Sequence, residues 1–352
     1  MQTDSHQQGE FAMNLREERY ARFALVREMM ETPEILARFD PAVADEACRI
    51  VEQTKRLFLT GEGSSRIFPA KNLIYENLRR GGVWTIATDG ARQAHEYRLQ
   101  DFTVFAASNS GKTKEVISLF MKLAEENHPR RLGLTANKGV KLEEVSTQCY
   151  HLTCGPENAV AATKSVVEQA LFYRALLAQA EGDDLLRVSR TEAAEAARQV
   201  LEMSIDAELV QKLVAAPLIY FAGRNNGVAE ELTLKTNEIT RKKSDFLEGT
   251  YAVHGIEEVM DANEVMVVID PFPAEMEKFQ QVLAERVGLT IIAVAAEPTI
   301  FPTIQIPTVP GYETVLQLLA GWNLLVEVGV AMGIDLDKPV RARKIGNEFQ
   351  PG

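Results

Sequence analysis

The same run of strands and helices occurs twice in this chain, and that doubling restricts the fold more than any single motif. Short apolar segments rich in β-branched and aromatic residues end in Gly, Ser or Asn, and roughly 12–18 residues of helical spacing follow each. In the first half strands are expected at 56–60, 83–88, 102–107, 131–135 and 150–153; in the second, at 218–223, 264–269, 289–294 and 303–306. Residue 218 stands 161 after 57, 264 stands 162 after 102, and 289 stands 158 after 131. A spacing that steady reads as an internal repeat. Strands that alternate with helices pair in parallel and are covered on both faces. The fold class is therefore α/β: two tandem, related subdomains, each a doubly wound, flavodoxin-like parallel sheet flanked by helices.

The expected division is a flexible tail at 1–20, a first subdomain with N-terminal helices and a connecting helix at 21–205, a second at 206–335, and a C-terminal tail at 336–352. The first residues are polar and lack the apolar centre of a signal peptide. The acidic, alanine-rich stretch 180–207 reads as the helical connection. The longest apolar segment, 315–334, contains Gln317, Asn323 and Glu327, which fits a helix buried in the core and not a membrane span.

A net charge of −12 leaves no basic footprint for a nucleic-acid backbone, so an anionic ligand would be held by local donors. Cys48, Cys149 and Cys154 are scattered, with no CxxC pair and no histidine at metal spacing. They imply a reducing, cytoplasmic setting, no metal and no cofactor.

One such strand, 102–107, stops abruptly at Ser108-Asn109-Ser110-Gly111-Lys112-Thr113, and a helical pattern begins at Thr113. Free N–H groups and a positive dipole make a helix start an anion site. An ordinary N-cap needs one hydroxyl. Here Ser108, Ser110 and Thr113 offer three, with the Asn109 amide and the Lys112 charge beside them, and the fitting guest is a phosphate. The first strand ends likewise in Gly61-Glu62-Gly63-Ser64-Ser65. In open α/β sheets ligands lie beyond the carboxyl ends of strands. Serine-rich turns occur only in the first half, which favours one phosphate site over two.

In the second half, the helical pattern 227–243 has an apolar stripe of Val228, Leu232 and Ile239 that Lys235 interrupts. That lysine either snorkels past the core or points into a wet cleft. Glu231 and Glu238 flank it on the same face. His254 lies in a loop bounded by Gly249 and Gly255, where an imidazole can carry protons near neutral pH. The basic stretch 337–346 is either a solvated tail or a cationic flap.

Taken together these motifs resemble the sugar isomerase (SIS) domain family, above all the isomerase half of the glutamine:fructose-6-phosphate amidotransferases. The similarity runs from about residue 26 to the end. Gly61 to Ser65 stands where the family has Cys-Gly-Thr-Ser, Ser108 to Thr113 where it has Ser-Gln-Ser-Gly-Glu-Thr, and Ala161-Ala162-Thr163-Lys164 where it has Ala-Ser-Thr-Lys. Lys235-Thr236-Asn237-Glu238-Ile239 and His254-Gly255 match its Lys-x-x-Glu-Ile helix and later His-Gly at the same spacing, and Asp337-Lys338-Pro339 leads to Lys344 as its terminal lysine. The resemblance implies a phosphorylated sugar or amino sugar held by Ser64, Ser65, Ser108, Asn109, Ser110 and Thr113. It implies that Glu238 shuttles a proton between C1 and C2 and that His254 assists ring opening from the partner subunit of a homodimer. Lys235 would steady the enediol charge, and Lys344, in a tail that reaches the active site, would hold the ketose carbonyl or form an imine with it. Departures are Glu62, Lys112, Ala162, Val253 and Ile256, and no glutaminase segment is expected before Leu15. The implied activities are an isomerase or deaminase acting on a hexose 6-phosphate, a fructosamine-6-phosphate deglycase that releases an amino acid, or a sugar-phosphate sensor without turnover.

Overall fold

The computed structural model describes residues 12–341 and 348–350. The first sheet contains β1 (Arg56–Gly61), β2 (Thr85–Gly90), β3 (Thr103–Ala107), β4 (Arg131–Thr135) and β5 (Gln148–His151) in the order β2-β1-β3-β4-β5. The second contains β6 (Leu218–Gly223), β7 (Lys243–Glu248), β8 (Val265–Ile269), β9 (Thr290–Ala295) and β10 (Thr303–Gln305), and from β7 to β10 its order repeats that of the first. Every pairing is parallel. Both sheets thus change winding direction between their first and third strands, where Leu57 faces Thr103 and Ile219 faces Val265. The crevice at such a switch point is where α/β sheets take ligands.

Six helices matter for the site: α1 (Ile67–Arg79), α2 (Lys114–Glu125), α3 (Lys164–Glu181), α4 (Arg190–Glu202), α5 (Val228–Lys235) and α6 (Glu313–Ala331). Within the acidic, alanine-rich stretch lies α4, which packs against α6. Helix α6 is long and apolar enough to cross a membrane, but most of it is buried inside the fold, with Trp322 and Asn323 wholly enclosed. Its Gly321 lets α5 approach closely, since a Cβ there would lie 2.3 Å from the side chain of Leu232. Gly227, at φ +89, starts α5 against the backbone of Ile67 and Phe68 in α1, so the second subdomain's helix docks on the first subdomain.

Two expectations need correcting. The helix read over 227–243 stops being α-helical at Lys235, widens into a π-turn at Thr236–Thr240, and breaks at Arg241, whose φ is +61. Lys243 then opens β7, an edge strand with only Leu247 buried. Its alternation is too weak to stand out beside the charged run 241–243. The flexible tail expected at 1–20 does not hold for its described part, 12–20, because Met13 and Tyr20 are buried and Ala12 bridges to Ser204.

Tyr20 donates to Glu327 Oε1 at 2.6 Å. Burial raises the Glu327 carboxyl from 4.5 to about 7. Between those values the folded chain keeps a proton that the unfolded chain has released, so stability falls as pH rises through that window and is level above it. Glu327→Gln is expected to gain on the order of 2–3 kcal/mol at pH 8 and little at pH 4. Denaturant midpoints at the two pH values check this.

Candidate active site

The phosphate-type loop forms because β3 ends at a buried Ser108 and α2 starts only at Lys114. Ser108 Oγ lies 2.8 Å from Thr113 Oγ1 and accepts from the Gly111 N–H at 3.1 Å, while Ser110 Oγ accepts from the Lys112 N–H at 3.2 Å. No side chain caps α2, so its first N–H groups remain available to an anion. Ser110 is exposed and Ser65 half-buried, whereas Ser64 is buried. Asn109 turns inward: its Nδ2 donates to Glu157 Oε2 at 2.5 Å and to Ser165 Oγ at 3.0 Å. Glu157 also accepts from the Thr163 N–H at 2.8 Å, which fixes the 157–163 segment beside the loop.

Lys235 joins the two halves. Its side chain is completely buried, and its Nζ donates to Ser64 Oγ at 2.8 Å and to Glu238 Oε2 at 2.7 Å, with Glu231 Oε1 at 3.4 Å. Of the two sequence alternatives neither holds as stated: the ammonium is inside, and polar partners from both subdomains surround it. Burial works against its charge, but Glu238 and Glu231 outweigh that and hold its pKa above the usual lysine value; Glu157 adds to the same effect. Burial pushes the Glu231 carboxyl up, against the pull of Lys235. Glu238 keeps 28% of its side chain exposed, so a carboxylate fixed by a buried ammonium faces open space.

That space is a cavity of about 630 Å³ lined by Val160, Asn237, Glu238, Arg241, Pro339, Val340 and Arg341. The described end of the chain returns to the phosphate-type loop, where the Phe349 N–H donates to the Lys112 carbonyl at 2.9 Å and Glu348 bridges to Thr113. Lys344 lies outside the described residues. The structure therefore gathers Ser64, Lys235 and Glu238, and places Glu157, which holds Asn109 of the loop, near enough to act on the Lys235 charge. His254 is not in that group. It sits exposed after β7, its Nε2 3.3 Å from Thr250 Oγ1, and does not line the Glu238 cavity. Sequence reasoning passed over Glu157, Ser165 and Arg241; the Gly155-Pro156 turn before Glu157 was the only local signal.

Residues 50–179 match the model of the SIS domain family. The chain is 26% identical over 277 residues to a glutamine–fructose-6-phosphate aminotransferase (isomerizing) of Leifsonia xyli, covering 70% of this chain and 45% of that protein. It is 26% identical to the protein of the same description from Pyrobaculum aerophilum, over 90% of this chain and 56% of the relative. The chain thus spans about half the length of the curated relatives it matches. Among solved structures, the C-terminal domain of glucosamine-fructose-6-phosphate aminotransferase from Francisella tularensis superposes with a TM-score of 0.74 at 18% identity, over 92% of this chain and all of that one. That likeness extends the same fold across both subdomains.

Proposed function

We propose, for a chain whose residues 50–179 form a SIS domain, a phosphosugar enzyme that works at C1 and C2 of a hexose 6-phosphate as an isomerase or amino-sugar deaminase. The observation that carries this reading is Lys235, a buried ammonium that ties Ser64 of the first half to Glu238 of the second. The phosphate would sit on the Ser108–Thr113 loop and the α2 N-terminus, with the other end of the sugar at Glu238. Glu238 would take a proton from C1 of the open-chain ketose and return it to C2, with no net loss of atoms. A carboxylate on a rigid turn can reach both carbons, and a buried cation beside it stabilises charge that develops on the sugar oxygens. His254 would act from a second copy of the chain. Its exposure on its own chain, beside exposed Tyr251 and Val259, favours such an interface.

The size of the Glu238 cavity supports a second reading, in which the sugar carries an amino acid on nitrogen at C1. The same proton shift converts that ketoamine to an imine of the aldose. Water then adds to the imine, and the amino acid leaves with the released proton. Incubation with fructose, glucose and glucosamine 6-phosphates and with a fructosyl-amino-acid 6-phosphate separates these activities through the product formed: isomer, ammonia or amino acid. No product from any of them would overturn the enzyme reading and leave a sensor. Ser108→Ala is expected to raise KM for the phosphosugar roughly 10- to 100-fold, with a smaller change in kcat, because a hydrogen bond to a charged group is lost. An unchanged KM would remove Ser108 from the phosphate site.

A further inference from the structure

The doubling of the fold creates two switch-point crevices, and the proposed phosphosugar site uses only the first. The second holds a cavity of about 210 Å³ whose walls include Tyr75, Glu76, Asn226, Asp270, Glu313 and Gln317. Three of these residues occupy the repeat positions of groups at the first site. Asn226 stands 162 after Ser64, Asp270 stands 162 after Ser108, and Glu76 stands 162 before Glu238. The strands keep the same offset, since β6 ends 162 after β1 and β8 ends 162 after β3. As the turn after α5 carries Glu238 of the second half to the first crevice, α1 of the first half carries Glu76 to the second. Sheets of this kind take ligands beyond the carboxyl ends of their strands at the switch point.

Polar groups on this cavity's walls are left open. Gln317 is only 7% exposed; its Oε1 accepts from Asn226 Nδ2 at 3.5 Å, and its Nε2 has no hydrogen-bond partner among the described residues. The Glu313 carboxylate, four residues earlier on α6, likewise has no hydrogen bond among them. A buried donor without an acceptor is costly, and a ligand oxygen offsets that cost. The serine loop is not repeated here: Asp270 puts a carboxylate where Ser108 has a hydroxyl, and Pro271 and Pro273 have no N–H to offer. A phosphate would meet repulsion and few donors. Nor does the cavity call for a cation. Asp270 pairs with Arg224 at 2.5 Å, and Glu76 lies 3.8–4.0 Å from guanidinium nitrogens of Arg79, Arg80 and Arg174. Paired carboxylates still accept from hydroxyls, the Gln317 amide donates, and Tyr75 adds an aromatic wall.

We propose that the second crevice binds an unphosphorylated, uncharged monosaccharide, whose hydroxyls bridge Glu76 on α1 and Glu313 and Gln317 on α6. The proposal goes beyond the phosphosugar reading of the first crevice and does not rest on it. Isothermal titration with glucose, fructose, mannose and N-acetylglucosamine tests it. At least one is expected to bind with a Kd on the order of 1 mM. Gln317→Met and Glu313→Gln should each weaken that binding roughly 5- to 30-fold, and Glu313→Gln decides the matter if Gln317→Met fails to fold. Ser108→Ala should leave it unchanged, and the 6-phosphate of the same sugar should not displace it. Binding that survives the α6 variants, or that Ser108→Ala or the 6-phosphate abolishes, would overturn the proposal and put the sugar elsewhere. Absence of binding by all four sugars at roughly 50 mM would overturn it too. The phosphosugar reading stands or falls separately, on the products formed from the 6-phosphates.

Discussion

Glu238→Gln is expected to lower proton exchange at C1 and C2 of a bound hexose 6-phosphate about 10²- to 10⁴-fold in deuterated water, the usual worth of a positioned acid–base group. Binding should persist. The amide keeps the side chain's length and an oxygen that can still accept from Lys235 Nζ, now 2.7 Å from the carboxylate. What it loses is the capacity to take a proton. Nuclear magnetic resonance of the sugar in deuterated buffer reads exchange, and titration of the same sample reads affinity. Exchange at the wild-type rate would remove Glu238 from its proposed role, and loss of affinity instead would make it a binding group.

Lys235→Met should cost both stability and activity. Removing the ammonium leaves Glu231, wholly enclosed, without its cation, and breaking a buried ion pair from one side typically costs about 3–5 kcal/mol. The loss should shrink at low pH, because burial already raises the Glu231 carboxyl and protonation removes the stranded charge. Lys235→Met with Glu231→Gln should therefore recover most of the stability. It should not recover turnover, because nothing then fixes Glu238 or joins it to Ser64. Denaturant unfolding and single-turnover rates on the two variants separate these effects. Recovery of both properties in the double variant would make Lys235 a structural residue only.

Every strand but one was legible, because the inner strands are buried apolar runs closed by turns and because the pattern occurs twice. The exception, β7, is an edge strand, where half-exposed alternation beside three consecutive cations hides from any periodicity. Lys235 was legible for the opposite reason: a charge set among Val228, Leu232 and Ile239 breaks a pattern that is otherwise plain, and all three neighbours are buried. Glu157 and Arg241 were not. Their importance lies in partners brought by tertiary structure, Asn109 and Ser165 for one and the carbonyl of Asp335 for the other. The π-turn that sets Glu238 and Arg241 apart likewise depends on packing that no local propensity encodes. His254 matched a motif by spacing, yet it is exposed and does not line the Glu238 cavity of its own chain, which is why its proposed part in the chemistry calls for a second copy.

The central claim is that one pocket takes the phosphate on the first subdomain and presents the carbonyl end of the sugar to the second. A crystal structure of the chain with fructose 6-phosphate tests it most directly. The account predicts phosphate oxygens in hydrogen-bond contact with Ser108, Ser110, Thr113 and the first N–H groups of α2, with C1 and C2 against Glu238. A phosphate seated on Arg241, or a sugar bound away from Lys235 and Glu238, would contradict it.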